Sequence, residues 1–300
     1  MEDISRRKLL QLLGLDVGLA LSCGVYSPPA YLKPKALLIG IDGLRADSLR
    51  AIKTPSINYL ISKGAYSYEA QAGDHTSSGP GWSSVLTGVG EAKHGVFDNT
   101  FNGSHLDLYP SIFTHLAKGK PQIKAASIVS WQPLDDYIIK DGWVKEYLSY
   151  GHEEDLPTAN RAAALLSRSP VDFLFAYFMA VDMAGHEHGF DHAVPGYAKA
   201  ITTVDKYVGK LMRSITRRPS YDQENWLVML ISDHGGLGKS HGGTSPEEKT
   251  IPLVMYGQSV NPGKITAPPA QADVVPTLLR HLNVPVKAAW DLDGKVVGLK

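Results

Sequence analysis

Three carboxylates and three imidazoles in this chain stand where they could share metal ions. Asp42 closes the apolar run 36–41, Asp182 follows the run 171–179, and Asp233 follows the run 226–231. His186 lies four residues after Asp182, a spacing at which one helical turn or a tight loop aims both side chains at one ion. His234 adjoins Asp233, and His241 comes seven residues later among glycines. A ligand set mixing carboxylate with imidazole suits two divalent ions, and the imidazoles favour zinc over calcium or magnesium. Each residue alone has an ordinary structural use, since an aspartate at a strand end can cap a helix. The set taken together points to a metal centre. Glycine belongs in such a setting because a backbone without Cβ can turn sharply beside an ion.

A nucleophile has candidates in Thr76, Ser77 and Ser78, which precede a helix expected over 82–86. A hydroxyl at a helix N-terminus faces the positive end of the helix dipole, where an incoming phosphate is favoured. Coordination to a metal would ionise such an alcohol near neutral pH. Ser78 can equally serve as a helix cap, and the two roles are compatible.

The elements that must position these groups read as alternating strands and helices. Apolar runs at 36–41, 123–129, 171–179, 226–231 and 251–256 predict buried strands. Helical patterns cover 56–62, 82–86, 158–166, 196–212 and 272–281. This alternation predicts an α/β fold in which a single layered domain, residues 33–300, holds a mostly parallel central sheet with helices on both faces. Ligands of such sheets bind beyond the carboxyl ends of the strands, where all three acids fall. The polar stretch 97–109 is expected as a loop at the rim of the site, and the Pro/Ala-rich stretch 261–272 as a surface loop.

Composition narrows the partners. The 300 residues carry 30 basic and 30 acidic side chains, so no net field draws the protein to nucleic acid, and none is expected as a partner. The apolar fraction of 43% is enough for a sizeable core. Residues 1–26 differ: Arg6-Arg7-Lys8 opens an apolar run that ends in small residues, the pattern of an export signal of twin-arginine type. A periplasmic or other extracytoplasmic location follows, the alternative being an N-terminal helix on a cytoplasmic protein. Membrane contact is expected only through this segment, uncleaved or lipidated at Cys23. As the sole cysteine, Cys23 excludes an intramolecular disulfide.

The motifs resemble the alkaline phosphatase superfamily, in its type I phosphodiesterase/nucleotide pyrophosphatase-like branch. The segments that carry the resemblance are Ile39-Gly-Ile-Asp42-Gly-Leu-Arg-Ala-Asp47, Ser78-Gly-Pro-Gly-Trp-Ser-Ser-Val-Leu-Thr87-Gly88, His94-Gly-Val-Phe-Asp-Asn99, Asp182-x-x-Gly-His186 and Ser232-Asp-His-Gly-Gly236, with 272–277 as a closing helix. The resemblance implies Ser78 as nucleophile, nine residues before Thr87, and Asn99 as a phosphate-binding amide. It implies one ion on Asp42, Ser78, Asp233 and His234 and a second on Asp182, His186 and His241. A small phosphate ester, more in keeping with a diester than a monoester, would be cleaved through a covalent phospho-enzyme. Three departures stand out. Ser78 occupies a place where many relatives have threonine, Gly81 one where phosphodiesterase members commonly have asparagine, and the third histidine is near the Asp-His pair rather than far downstream. His281 is the alternative to His241.

Ser78-x-Pro80 also begins the pattern of a sulfatase, but Trp82 stands where that pattern needs arginine. A phosphomutase would need a larger cap domain than 100–171 provides, and a non-catalytic binding member would be expected to lack a ligand. Trp82 and Tyr109 offer aromatic faces for a base or aryl group, a signature that core anchors and surface aromatics share. Composition does not fix the oligomeric state.

Overall fold

The apolar runs become strands because both of their faces are covered. Along β1 (Lys33–Ile41), Ala36 and Leu38 point to one side of the sheet while Leu37, Ile39 and Ile41 point to the other, and all five are buried. A computed structural model of the chain describes residues 32–148 and 155–300, within a compact unit Leu32–Lys300. The expected export segment 1–26 and Cys23 lie outside the described residues.

After β1 the chain forms α1 (Ala46–Ala51), α2 (Pro55–Lys63), β2 (Ala65–Gln71), α3 (Ser78–Thr87), α4 (Glu91–His94), α5 (Ile112–Gly119), β3 (Ala125–Val129) and β4 (Val144–Tyr147). Then follow α6 (Leu156–Arg168), β5 (Phe173–Phe178), α7 (Ala180–His188), α8 (Pro195–Thr216), β6 (Glu224–Ile231), α9 (Pro246–Lys249), β7 (Thr250–Gly257), β8 (Gly263–Lys264) and α10 (Val274–His281). The described strands make one eight-stranded sheet in the order β4-β3-β5-β1-β6-β7-β2-β8. Strands β4, β3, β5, β1 and β6 run parallel, and β7 is antiparallel to both its neighbours. One core packs α3, α5 and α10 on the first face through Val85, Phe113 and Leu278. The other packs α2, α6 and α8 on the opposite face through Leu60, Ala162 and Val208.

This topology creates the site. Strands β5, β1 and β6 are adjacent, with Ile41 level with Phe178 and Gly40 level with Ile231. Asp42, Asp182 and Asp233 therefore leave the sheet at one end, side by side.

Several elements differ from expectation. Strand β2 alternates small and polar residues (AYSYEAQ) and carries a bulge between Ser67 and Ala70, so its sequence lacks a continuous apolar run. Helix α3 starts at Ser78 rather than Trp82. Gly79-Pro80-Gly81 reads as a breaker, but a first-turn proline forfeits no intrahelical bond. Ser77 takes the cap position and Ser78 is the first helical residue. The stretch 261–272 is not wholly surface, since it contributes β8 and ends in a short turn with Gln271 buried.

Candidate active site

Asp42 and Asp233 each arrive with one carboxylate oxygen held by protein donors and one turned to the cluster, whereas both oxygens of Asp182 face histidines of the cluster. Asp42 Oδ2 accepts from Tyr177 O–H at 2.5 Å and from Trp82 Nε1–H at 2.9 Å. Its Oδ1 lies 3.4 Å from His234 Nε2. Asp233 Oδ1 accepts from the Gly43 N–H at 3.2 Å, while Oδ2 has no hydrogen bond and sits 3.2 Å from His234 Nε2. Asp182 lies in the first turn of α7, which answers the helix-or-loop question in favour of the helix and puts His186 one turn further on. Its Oδ2 is 3.4 Å from His186 Nε2, and its buried Oδ1, without a hydrogen bond, is 3.6 Å from His241 Nε2. Gly43, at φ +66°, makes this proximity possible: a Cβ there would lie 2.8 Å from Asp182 Cα.

The histidines follow the same rule. Nδ1 of His186 donates to the Lys239 carbonyl at 3.0 Å, Nδ1 of His234 to the Gly235 carbonyl at 2.7 Å, and Nδ1 of His241 to the Thr76 carbonyl at 2.8 Å. A carbonyl only accepts, so each ring carries its proton on Nδ1 and turns Nε2 inward, the tautomer of a ligating imidazole held from behind. His186 Nε2 and His241 Nε2 face each other at 3.0 Å. The rings of His234 and His241 stack at 3.8 Å, which brings the two halves of the cluster together.

The six side chains divide into two groups, Asp42 with Asp233 and His234, and Asp182 with His186 and His241, the ligand atoms within each lying within 4.8 Å of one another. The first group is buried throughout, whereas His186 opens the second to solvent. Burial and the Asp182 charge push Asp42 up to about 6, and burial with both other carboxylates raises Asp233 well above its usual range. Burial also opposes ionisation of Asp182, but its bond to His186 and the nearby imidazoles hold it low. Contact with Asp182 holds His186 up at about 9, so without an ion its Nε2 is protonated as well and must release that proton to act as a ligand, while burial pushes His241 down to about 4. Three buried carboxylates with two orphaned oxygens, faced by inward Nε2 atoms, form a pocket short of positive charge. The donor set fits divalent cations.

Ser78 is the hydroxyl that meets this pocket. Its Oγ is 3.5 Å from Asp42 Oδ1 and 3.4 Å from His234 Nε2, and the residue is buried. Thr76 is occupied elsewhere: its Oγ1 donates to the Gly243 carbonyl at 2.6 Å and accepts from the Gly242 N–H at 3.0 Å. Asn99 stands exposed beside the Ser78 turn, its Oδ1 accepting from the Gly79 N–H at 2.7 Å. That bond leaves the amide NH2 as the group free to donate.

His281 does not join the cluster. Its Nε2 reaches the carbonyls of Lys35 and Asn225 at the start of β1 and β6, the far end of the sheet. Trp82 is not a stacking platform: it is fully buried beneath Asp42. Tyr109 is half-buried in the loop.

Supporting residues that the sequence analysis did not single out include Tyr177, Phe190 and Arg45. The Phe190 ring fills the space that a Cβ on Gly185 or Gly236 would enter and stands edge-on to His186. Arg45 donates to the carbonyls of Phe190 at 2.5 Å and Gly236 at 3.3 Å, joining the two ligand loops. Arg45 lies three residues after Asp42 within a quoted motif, which was its only signal.

Comparison with known proteins agrees with this architecture. The chain is 27% identical over 230 residues to the mouse (Mus musculus) ectonucleotide pyrophosphatase/phosphodiesterase family member 3, covering 69% of this chain and 25% of that protein. It is 25% identical over 227 residues to the Xenopus laevis bis(5'-adenosyl)-triphosphatase enpp4, covering 71% of this chain and 49% of that one. The chain thus spans a quarter to a half of the length of these relatives. In three dimensions it resembles murine ectonucleotide pyrophosphatase/phosphodiesterase 5, solved as an inactive variant with AMP, with a TM-score of 0.68 at 16% identity, covering 85% of this chain and 96% of that one. A 2-O GAG sulfatase shares the fold equally, with a TM-score of 0.71 at 15% identity and coverage of 88% and 73%. The family model for type I phosphodiesterase / nucleotide pyrophosphatase matches residues 36–121 and 120–240, most of the chain and every residue of the cluster except His241, and the chain belongs to that family.

Proposed function

We propose that this chain is a metal-dependent hydrolase of phosphate esters, with diesters preferred, acting through Ser78. One observation carries the reading: Ser78 Oγ, two orphaned carboxylate oxygens and three inward-turned Nε2 atoms converge at the carboxyl ends of β5, β1 and β6. Asp42, Ser78, Asp233 and His234 would hold one ion, and Asp182, His186 and His241 the other. Zinc suits these ligands. Bound there, the pair would supply the Lewis acidity that ionises the hydroxyl and offsets charge on the leaving oxygen.

The chain's own groups account for the rest. Ser78 Oγ gives up its proton and bonds to phosphorus as the bond from phosphorus to the leaving oxygen breaks. This releases one alcohol, itself taking up a proton, and gives a phosphoserine that still carries the other ester group. Water then attacks phosphorus, the P–Oγ bond breaks, and Ser78 is restored. The N-terminus of α3 and the Asn99 amide face the nonbridging oxygens, where negative charge gathers. Among the described residues, no lysine or arginine side chain bonds to the proposed ligands, Ser78 or Asn99. A singly charged diester suits such a site better than a doubly charged monoester.

Sulfate esters are also singly charged, and the fold is shared with a sulfatase. Against that reading, the position where a sulfatase pattern needs arginine is Trp82, sealed in the core. Rates on bis-p-nitrophenyl phosphate, p-nitrophenyl phosphate and p-nitrophenyl sulfate, with metal content measured on the same sample, decide the matter. The diester is expected to turn over fastest, with two equivalents of zinc. A preference for the sulfate ester would overturn the proposal. Residues 1–26 are proposed to direct export, which fractionation of cells expressing the full chain tests. No described helix is long and apolar enough to cross a membrane.

A further inference from the structure

Tyr177 and Trp82 reach Asp42 from different elements and choose the same oxygen. Tyr177 is on β5, the strand next to β1, and Trp82 is on α3, four residues after Ser78 and so on the same face of the helix. The Tyr177 hydroxyl donates to Asp42 Oδ2 at 2.5 Å and the Trp82 indole N–H at 2.9 Å. The two rings meet edge to face at 5.3 Å. Their exposures are 1% and 0%, so no solvent competes for the bonds. Gly40 makes room for the arrangement, since a Cβ there would lie 2.6 Å from the indole ring.

Two donors use up the lone pairs of a carboxylate oxygen. Only Oδ1 of Asp42 is left toward the pocket, 3.4 Å from His234 Nε2 and 3.5 Å from Ser78 Oγ. A buried Tyr hydroxyl and a buried Trp N–H each need some acceptor, and packing alone would not require a single shared one. Because Trp82 and Ser78 are one turn apart, the indole bond also fixes the rotation of α3 about its axis.

We propose that Trp82 and Tyr177 are positioning residues: they restrict Asp42 to one ligating oxygen and set α3 so that Ser78 Oγ meets that oxygen. The inference rests on the two-ion reading above. The Tyr177→Phe and Trp82→Phe variants of the full chain test it. Zinc is titrated against a chromophoric chelator, and melting of the chelator-treated protein is followed in parallel. One of the two zinc equivalents is expected to weaken by about 10–100-fold, the range for loss of an outer-shell bond, while the other is unchanged. Tyr177→Phe keeps the ring and its packing, so it reads the bond even if Trp82→Phe fails to fold. Two equivalents held as tightly as in wild type would overturn the inference, and so would equal weakening of both. A wild-type protein that binds no zinc would overturn the two-ion reading itself.

Discussion

A side chain that both binds an ion and holds its place needs two polar ends, and the residues of this cluster divide their ends in that way. Asp42 and Asp233 fix one oxygen on protein donors, and each histidine fixes Nδ1 on a carbonyl. Ser78 has no such second end, so its removal should spare the pocket and remove the chemistry. Ser78→Ala is expected to lower kcat/KM on bis-p-nitrophenyl phosphate by roughly 10³-fold or more with zinc still bound. Wild-type turnover in that variant would exclude Ser78 as nucleophile. Gly81 makes a different point. Restoring asparagine there would put a Cβ 2.8 Å from both Asp233 Cβ and its carbonyl oxygen. Gly81→Asn is therefore expected to cost about 1–3 kcal/mol, read from urea unfolding. The cluster was legible because acids at strand ends and histidines among glycines are rare in combination, and the fold brings these six side chains together. Trp82 could be a stacking face or a core anchor on its sequence alone, because an aromatic residue's type says nothing about which side of it faces water, and the structure makes it the anchor.

Elements carry what single residues cannot show. The strands that position the acids were legible, since a strand covered on both faces must be apolar throughout. Strand β2 was not, because its buried positions are filled by Ala65, Ser67 and Ala70. The join between the 76–78 turn and the 240–243 turn was invisible as well, because Thr76 bonds there to backbone groups far away in sequence. The Thr76 hydroxyl bonds the carbonyl of Gly243 and the N–H of Gly242, and its carbonyl holds His241. Thr76→Val keeps the shape and removes the hydroxyl. It leaves two polar backbone groups short of a partner and is expected to destabilise the protein by about 1–3 kcal/mol. The amide of Gly242 should exchange faster with deuterium in that variant, and unchanged protection would show that the turn is held by other contacts.

At the scale of the molecule, the cluster is a strain on folding that cations should relieve. Three carboxylates packed together repel, and Asp42 and Asp233 are raised for that reason as well as by burial. Each ion supplied at about 1,000 times its dissociation constant adds about 4 kcal/mol. For a domain of this size that corresponds to roughly 8–16 °C in Tm, so chelation should lower the melting temperature by that order for each ion removed. An unchanged Tm would mean that the native chain binds no ion tightly.

Acid stability is set partly by a group remote from the cluster. His94 is fully buried and held by the Ser84 hydroxyl and the Val96 N–H, and burial pushes its imidazole down to about 4. Folded, it stays neutral until about pH 4. In the unfolded chain it takes up a proton near pH 6.5. Between these values the unfolded state binds the extra proton, so stability rises with pH and is lost as pH falls from about 6.5 toward 4, by up to about 1.4 kcal/mol per unit. His115, buried under Trp290, is likewise pushed down to about 4 by burial and adds to the same slope. Without ions the raised Asp42 and Asp233 take up protons on folding over the same window and oppose this slope, so the difference between two proteins is the measure. In urea unfolding of chelator-treated protein, His94→Leu should gain stability relative to wild type as pH falls from about 6.5 toward 4. The same slope in the variant would assign the acid sensitivity to other groups.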